Sequence, residues 1–287
     1  MGRIAYVNGR YVLHGEAAVH IEDRGYQFAD AVYEVWALFD GKLADPEGHF
    51  QRLARSLGEL QIALPMTRAA LTTVLRETVR RNAIRDGLVY LQVSRGVAPR
   101  NHAFPEGDVP PAIVVTVSRV DREAAEVKAA KGVGVITAPE NRWGRCDIKT
   151  VGLLPNLLAK QAAKERGAAE AWFVDELGFV TEGGSSNAWI VDQDGTLRTR
   201  DTNANILRGV TRNTLLDVIA GAGLKVDQRP FTPAEAKAAR EAFITGAGAL
   251  VLPVVTVDGD PVGDGTVGPV AARLRRLYVE QAQRSAI

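Results

Sequence analysis

The spacing of apolar and polar residues changes several times along the 287-residue chain. Residues 4–7 and 11–13 flank Asn8-Gly9, a pair that tolerates positive φ, so a tight β-hairpin is predicted here. Short strands alternate with helical segments, which is typical of a mixed α/β (α+β) protein. Further strands are predicted at 33–39, 88–94, 112–120, 133–138 and 171–174, with another hairpin turning at Asp194-Gly195.

Segments in which apolar residues recur at helical spacing lie between these strands. A helix over 46–60 carries four apolar residues on one face, and Thr67 is the N-cap of a second helix that ends near residue 82. Residues 121–131 are charged and rich in alanine with little periodicity, so we interpret them as a connection between domains at 1–121 and 122–287. Later helices are predicted from 153 to 167, from 206 to 220 and from 269 to 283, with a capping box at 232–235.

Composition narrows the partners and the location. The 35 basic and 34 acidic residues nearly cancel, which argues against nucleic acid or an anionic membrane as the main partner. The longest apolar runs are too short to span a bilayer, and the N-terminus lacks the apolar core of a signal peptide. Cys146 is the single cysteine, so no intrachain disulfide can form and a cytoplasmic protein is expected. With no base nearby in sequence, Cys146 is interpreted as a packing residue.

The sequence around Lys149 suggests a reactive amine. It stands in a polar turn, and the apolar run 153–159 is predicted to form the first turns of a buried helix. A lysine at such a boundary can project its amine into a pocket, where desolvation would let it react with an aldehyde or ketone. A solvated lysine before a helix fits the spacing as well, and spacing alone favours that interpretation.

Other polar groups could bind anions or a heterocyclic ring. Arg52 shares a helix face with His49, and an arginine fork suits a phosphate dianion. Arg100 and His102 lie two residues apart in a loop, where both could grip one carboxylate. Glu182 stands in a glycine- and serine-rich turn, where a carboxylate could hold a pyridine nitrogen. Each also has an ordinary interpretation, as a surface arginine, a solvated loop or a turn between strands.

Taken together, these segments resemble one family. Ile148-Lys149-Thr150 followed by Leu154-Pro155-Asn156 looks like the cofactor-lysine segment of the fold type IV pyridoxal-phosphate enzymes. Segments at 49–53, 95–105, 180–190 and 206–212 are similar to further motifs of that family, in the family's order. The resemblance implies a smaller N-terminal α/β domain (1–121) and a larger C-terminal pseudo-barrel domain (122–287) that holds pyridoxal 5′-phosphate and the catalytic lysine.

The resemblance also implies roles for individual residues. Lys149 would bind the cofactor covalently and act as the catalytic acid–base, while Glu182 would hold the pyridine nitrogen. Arg52 would bind the phosphate, together with a helix N-terminus whose free N–H groups suit an anion. Ala247 stands where relatives usually offer a threonine or serine, so it would act through its backbone N–H. The further cofactor-binding residues implied are Leu207, Gly209, Val210 and Thr211.

The loop at 95–105 is the segment most informative about the substrate. Its Arg-Gly-x-x-Pro-Arg-x-His-x-Phe-Pro pattern resembles a signature of the D-amino-acid aminotransferases. By that resemblance Tyr33, Arg100 and His102 would bind the substrate carboxylate. The activity implied is transamination of D-amino acids such as D-alanine with 2-oxoglutarate, which gives pyruvate and D-glutamate. The resemblance also implies a homodimer in which a loop of one subunit borders the other's site.

Three other interpretations stay open at this point. An L-branched-chain aminotransferase would use the 95–105 loop for something else, and an (R)-amine transaminase would have a weak or mobile carboxylate clamp. An inactive relative could bind only pyridoxal phosphate or a partner protein, although the intact Lys149, Arg52 and Glu182 argue against it. The expected partners are small amino acids and 2-oxo acids, with no metal, nucleic acid or membrane.

Overall fold

A computed structural model describes residues 3–202 and 206–287 of the chain. The expectation of no signal peptide rests partly on Met1 and Gly2, which lie outside the described residues. The chain forms two compact units. Among the described residues, the first contains 3–121 together with 148–152 and 285–287, and the second contains 122–147, 153–202 and 206–284.

The described part of the first unit is built on a six-stranded antiparallel sheet with the strand order β2-β1-β6-β5-β3-β4. Asn8 and Gly9 both have positive φ, so the predicted hairpin between the first two strands is confirmed. The elements are β1 (Ile4–Val7), β2 (Arg10–Leu13), α1 (Arg24–Phe28), β3 (Ala31–Phe39), β4 (Lys42–Leu43), α2 (Pro46–Glu59), α3 (Arg68–Asn82), β5 (Gly87–Ser94) and β6 (Ala112–Arg119).

Helices α2 and α3 supply the apolar core of this unit. Leu53 and Leu57 of α2 are each 1% exposed and pack in one cluster with Trp36 of β3. The face predicted from helical spacing is therefore the buried face, and each such leucine stabilises the fold by roughly 1.5–3 kcal/mol. Thr67 accepts a hydrogen bond from the N–H of Ala70, which confirms it as the N-cap of α3.

Residues 148–152 belong to the first unit, although the sequence placed Lys149 with 122–287. The reason is backbone pairing along β3. Thr150 pairs with Val32 in an antiparallel bridge, and the N–H of Val151 donates to the carbonyl of Ala31. Ile148 is buried in the core of this unit. The boundary after residue 121 stays a prediction, but the lysine segment lies outside the unit to which it was assigned.

The second unit, as far as it is described, contains a nine-stranded mixed sheet with the order β12-β11-β10-β13-β14-β7-β8-β9, and β15 pairs with β14. Parallel pairs join β11 to β12, β14 to β7 and β7 to β8, and the other pairs are antiparallel. The elements are α4 (Arg122–Lys131), β7 (Val133–Pro139), α5 (Leu154–Glu165), β8 (Glu170–Val174), β9 (Val180–Gly183), β10 (Asn187–Val191), β11 (Leu197–Arg198), α6 (Val210–Gly221), β12 (Val226–Asp227), α7 (Pro233–Lys237), β13 (Glu241–Gly246), β14 (Leu250–Val257), β15 (Asp260–Pro261) and α8 (Pro269–Ser285).

Helix α4 lies in the segment interpreted as the connection between domains, and one expectation about another helix was wrong. Residues 122–131 form α4 because alanine, glutamate and lysine all favour helix even without an apolar face. Helix α5 was expected to begin buried, yet Leu154, Leu157 and Leu158 are 67, 61 and 63% exposed. Its buried residues are the alanines Ala159 and Ala163.

Other local predictions agree with the structure. Strands β10 and β11 form the hairpin that turns at Asp194-Gly195. The capping box is present, since Thr232 and Glu235 exchange side-chain and backbone hydrogen bonds at the start of α7. Within 3–202 and 206–287, no helix is long and apolar enough to cross a membrane.

Candidate active site

Lys149 is positioned by strand β3 and helix α2 of the first unit. Its carbonyl accepts a hydrogen bond of 3.0 Å from the N–H of Tyr33, and its own N–H donates to the Ser56 hydroxyl at 3.3 Å. Ser56 is 1% exposed. Pairing with a strand, together with the Ser56 hydroxyl, therefore fixes the lysine backbone.

The Lys149 amine lies over an aromatic ring. Its Nζ is 4.1 Å from the centre of the Tyr33 ring, the distance of a cation–π contact. It forms no hydrogen bond or ion pair with any side chain in the described ranges. Tyr33 also packs against Tyr90, with 5.7 Å between ring centres, and burial raises the pKa of Tyr90 to about 12. An amine without a carboxylate partner is available to react with a carbonyl group.

Arg52 is bound by a carboxylate that the sequence analysis missed. Its Nε and one terminal nitrogen each donate to a different oxygen of Glu34 at 2.7 Å, in a bidentate pair. The Nδ1 of His49 lies 2.7 Å from the same carboxylate, so Arg52 and His49 share a helix face as predicted. Glu34 is fully buried, and the side chain of Arg52 is 10% exposed. Ser56 follows one turn later on α2, so the pair and the Lys149 segment share this helix.

Burial and neighbouring charges have opposite effects on the pKa values of Glu34 and His49. Burial alone would raise the pKa of Glu34, but the charge and hydrogen bonds of Arg52, with the His49 contact, lower it to about 2. Burial lowers the pKa of His49 and outweighs the opposing effect of Glu34. At neutral pH the cluster therefore contains an ionised Glu34, a charged Arg52 and a neutral His49. A charged residue inside the otherwise apolar strand β3 was the signal that could have revealed it.

Arg100 and His102 lie side by side on an exposed loop of the first unit. The Arg100 guanidinium is 4.6 Å from the centre of the Phe28 ring, and the His102 ring centre is 5.5 Å from it. Both side chains therefore contact one ring, that of Phe28. No hydrogen bond, ion pair or ring contact between described residues links them to Tyr33 or Lys149.

In the second unit, Glu182 on β9 is a buried acceptor held from three directions. An Arg142 nitrogen donates to it at 2.5 Å, and the Asn187 side-chain amide at 3.0 Å. The N–H of Leu207 lies 3.2 Å from each carboxylate oxygen. Arg142 also pairs with Glu140 at 2.6 Å. Charge-assisted bonds are the stronger ones, so these contacts fix the position of the Glu182 carboxylate.

Helix α6 begins beside this carboxylate. The Asn187 amide that binds Glu182 also donates to the Leu207 carbonyl at 3.1 Å, so Leu207 is held through both its backbone groups. Gly209 is the N-cap, with no capping side chain. A β-carbon at position 209 would overlap the side-chain oxygen of Asn187, which explains the glycine.

The N-terminus of α6 suits an anion. Val210 and Thr211 are buried in its first turn, and the Thr211 hydroxyl makes no hydrogen bond within the described parts of the chain. Backbone N–H groups and the helix dipole favour negative charge at such an end. Ala247 is half-buried in the turn between β13 and β14, and no described contact connects it to α6. The motifs propose these residues for the site, but they gave no sign that Arg142 and Asn187 bind Glu182.

Comparisons with known proteins identify the class. A family model described as Amino-transferase class IV matches residues 31–257. A branched-chain amino acid aminotransferase from T.th., solved with pyridoxamine 5′-phosphate, matches with a TM-score of 0.89 at 27% identity, covering 99% of this chain and 95% of that one. The chain belongs to the class IV aminotransferases, and the expected type IV fold is confirmed.

The curated relatives are more specific. The chain is 40% identical to the D-alanine aminotransferase of Staphylococcus haemolyticus over 274 residues, which cover 95% of each chain. It is 41% identical to the D-alanine aminotransferase of Bacillus licheniformis over 268 residues, which cover 93% of each chain. The protein is therefore an aminotransferase.

Proposed function

We propose that this protein transfers amino groups from D-amino acids, with a D-alanine-like donor and 2-oxoglutarate as acceptor, and that it uses pyridoxal 5′-phosphate. The products would be pyruvate and D-glutamate. The similarity to two D-alanine aminotransferases over at least 93% of the chain supports the choice of donor most strongly. The Arg-x-His pair at 100 and 102 supports it independently.

The described residues suit pyridoxal phosphate at each of its three functional groups. Lys149 offers an amine without an acidic partner for the aldehyde, and Glu182 offers a buried carboxylate for the pyridine nitrogen. The α6 N-terminus, with Gly209, Val210 and Thr211, suits the phosphate. We propose that Arg52, whose fork is bound by Glu34, adds its positive charge to the phosphate site. We propose that Leu207 contacts the ring and that the Ala247 backbone adds to the phosphate site. When bound, the cofactor would supply a ring that withdraws electrons from the substrate Cα.

Lys149 is proposed as the general acid–base. In this role its Nζ removes the proton from the substrate Cα and returns a proton in the reverse half of the cycle. The Tyr33 ring below Nζ limits the directions in which the amine can move. Glu182 pairs with Arg142, and its carboxylate could accept a hydrogen bond from a protonated cofactor nitrogen.

We propose that Tyr33, Arg100 and His102 bind the substrate carboxylate, Arg100 as a bidentate donor. Within one chain, Arg100 and His102 rest on Phe28 rather than on Tyr33 or Lys149. By the resemblance to the family, we propose a homodimer in which the 95–105 loop of one subunit borders the site of the other. A cytoplasmic location stays a prediction from the single cysteine.

The test is to add D-alanine and L-leucine separately to the cofactor-loaded protein and to follow the cofactor absorption and the 2-oxo acid released. We expect D-alanine alone to change the spectrum and to release about one pyruvate per active site, since each half-reaction transfers one amino group. Adding 2-oxoglutarate should then restore the spectrum and yield D-glutamate, which chiral chromatography can identify.

The same experiment separates the competing functions. Conversion by L-leucine alone would contradict the D-selectivity and favour a branched-chain activity, consistent with the similar branched-chain aminotransferase structure. Conversion by an (R)-amine without a carboxylate, but not by D-alanine, would remove the role given to Arg100 and His102. No conversion by any donor would indicate an inactive relative.

A further inference from the structure

The 95–105 loop of the first unit begins at a backbone pairing with the N-terminus of α1. The N–H of Arg24 donates to the Gly96 carbonyl at 2.9 Å, and Val97 pairs with Asp23 in an antiparallel bridge. Gly96 has a φ of +105°, and a β-carbon there would overlap the carbonyl oxygen of Pro110. The start of the loop is therefore fixed in direction before it reaches Arg100.

The side chain of Arg24 contacts the backbone in the middle of the loop. One terminal nitrogen donates to the Asn101 carbonyl at 2.6 Å, and the other lies 3.5 Å from the His102 carbonyl. Arg24 is 3% exposed, and its guanidinium lies 4.8 Å from the Phe28 ring centre. The ring that carries Arg100 and His102 thus also contacts the arginine that binds their neighbouring backbone.

Asp30 holds Arg24 and connects it to a second buried arginine. Its carboxylate accepts from the Arg24 Nε at 2.8 Å and from Arg95 at 2.7 and 3.0 Å. Arg95 also donates to the Leu60 carbonyl at 2.7 Å and lies 3.6 Å from the Phe104 ring centre. The far end of the loop is therefore fixed by the same carboxylate.

We propose that Arg24, oriented by Asp30, is the positioning residue that sets the location of Arg100 and His102 and thereby the affinity for the substrate carboxylate. The inference rests on the carboxylate-binding role proposed above. Arg24 itself does not touch the substrate, because its donors are engaged by Asp30 and by loop carbonyls. Its three hydrogen-bonding directions require a planar fork, which lysine cannot supply.

The experiment compares Arg24→Lys with Arg85→Lys in the holoenzyme. Arg85 pairs with Asp40 on the surface, where the two side chains are 78 and 68% exposed, so the same substitution there is a matched control. The first readout is hydrogen exchange of the backbone amides at 100–104. The second is a single-turnover titration with D-alanine, which separates the apparent dissociation constant from the limiting rate.

Arg24→Lys should speed exchange at 100–104 by at least about tenfold and raise the D-alanine dissociation constant by roughly ten- to hundredfold. The limiting rate should change less than about twofold, because the groups around Lys149 are untouched. Arg85→Lys should change neither readout. Phe28→Leu serves as a second variant if Arg24→Lys does not fold, and it should raise the dissociation constant in the same way.

Unchanged exchange at 100–104 in Arg24→Lys would overturn the inference whatever the function is. Faster exchange with an unchanged dissociation constant would also overturn it, provided that Arg100→Gln raises that constant. If Arg100→Gln leaves D-alanine binding unchanged too, the error lies in the proposed function and not in the contacts of Arg24. A proportional loss of affinity and limiting rate would indicate general structural damage and would likewise overturn the positioning role.

Discussion

Two buried carboxylates, Glu34 in the first unit and Glu182 in the second, are held in different ways. Glu34 receives side-chain bonds from one helix, with Arg52 and His49 both on α2. Glu182 is held by Arg142, by Asn187 and by a backbone N–H. In the first case the carboxylate orients the arginine proposed to function, and in the second the carboxylate is itself the proposed functional group. The partners of Glu182 can therefore be changed while the functional group remains, whereas a change at Glu34 directly disturbs Arg52.

The largest expected effect is that of Glu34→Gln. It leaves Arg52 buried without its bidentate partner and should lower the free energy of unfolding by about 3–5 kcal/mol. Asp40→Asn, which breaks the exposed pair with Arg85, is the control and should cost less than about 1 kcal/mol. Urea unfolding of both variants measures the difference. Equal small losses would contradict the view that Glu34 fixes a buried arginine.

The contribution of Glu34 to stability should also depend on pH. The pKa of Glu34 is lowered from 4.5 to about 2 in the folded protein, so its stabilising contribution is fully present above about pH 4.5 and is lost as the pH falls towards 2. The stability difference between the wild type and Glu34→Gln should therefore shrink as the pH falls through this range. Urea unfolding at a series of pH values between 6 and 3 tests this, and a constant difference would contradict the assignment.

A smaller effect is expected where Asn187 meets the start of α6. Gly209 has φ −61° and ψ 130°, a backbone conformation that any residue adopts. Gly209→Ala should therefore destabilise the protein only because its β-carbon overlaps the Asn187 amide. The expected cost is about 1–3 kcal/mol in the cofactor-free protein. Adding Asn187→Ala should remove most of this cost, which makes the two changes non-additive.

The control for that cycle lies on the same helix. A β-carbon at Gly221 would meet nothing within 4 Å, so Gly221→Ala should be neutral or stabilising by up to about 1 kcal/mol. Thermal unfolding of the cofactor-free variants gives all four corners of the cycle. Additive losses from Asn187→Ala and Gly209→Ala would show that the glycine is required for another reason.

The smallest effect is expected at Cys146. Burial raises the pKa of this thiol to about 11, and its sulfur donates to the Trp143 carbonyl at 3.1 Å. Alkylation at pH 8 should be about a hundredfold slower than that of an ordinary thiol, because the thiolate is scarce. Cys146→Ser should leave turnover within about twofold, as expected for a packing residue. Rapid alkylation with loss of activity would give Cys146 a different role.

Much of the fold could be predicted because it depends on local patterns. The Asn8-Gly9 hairpin, the Thr67 cap and the Thr232–Glu235 capping box each involve neighbouring residues whose preferences agree with the structure. The failures arise where burial is decided by distant elements. Spacing could not show that Leu154 would be exposed at the start of α5. Nor could it show that the lysine segment would pair with β3.

In the candidate site too, residues within local motifs could be predicted, whereas partners that are distant in sequence could not. Motifs identified Lys149, Arg52 and Glu182, but not the partners that hold them. Arg142 lies forty residues from Glu182 in sequence, and no spacing rule connects them. Ala29 is a further example, because its φ of +57° lies in the left-handed region that favours glycine, which the sequence alone did not show.

The central claim is that Lys149 is the lysine that binds the cofactor. The most direct measurement is borohydride reduction of the pyridoxal-phosphate-loaded protein, followed by proteolysis and mass analysis of the labelled peptide. We predict one label, on the peptide that contains Lys149, and no label on Lys149→Ala treated in the same way. A label on another lysine, such as Lys160, or an unchanged label in Lys149→Ala would contradict it.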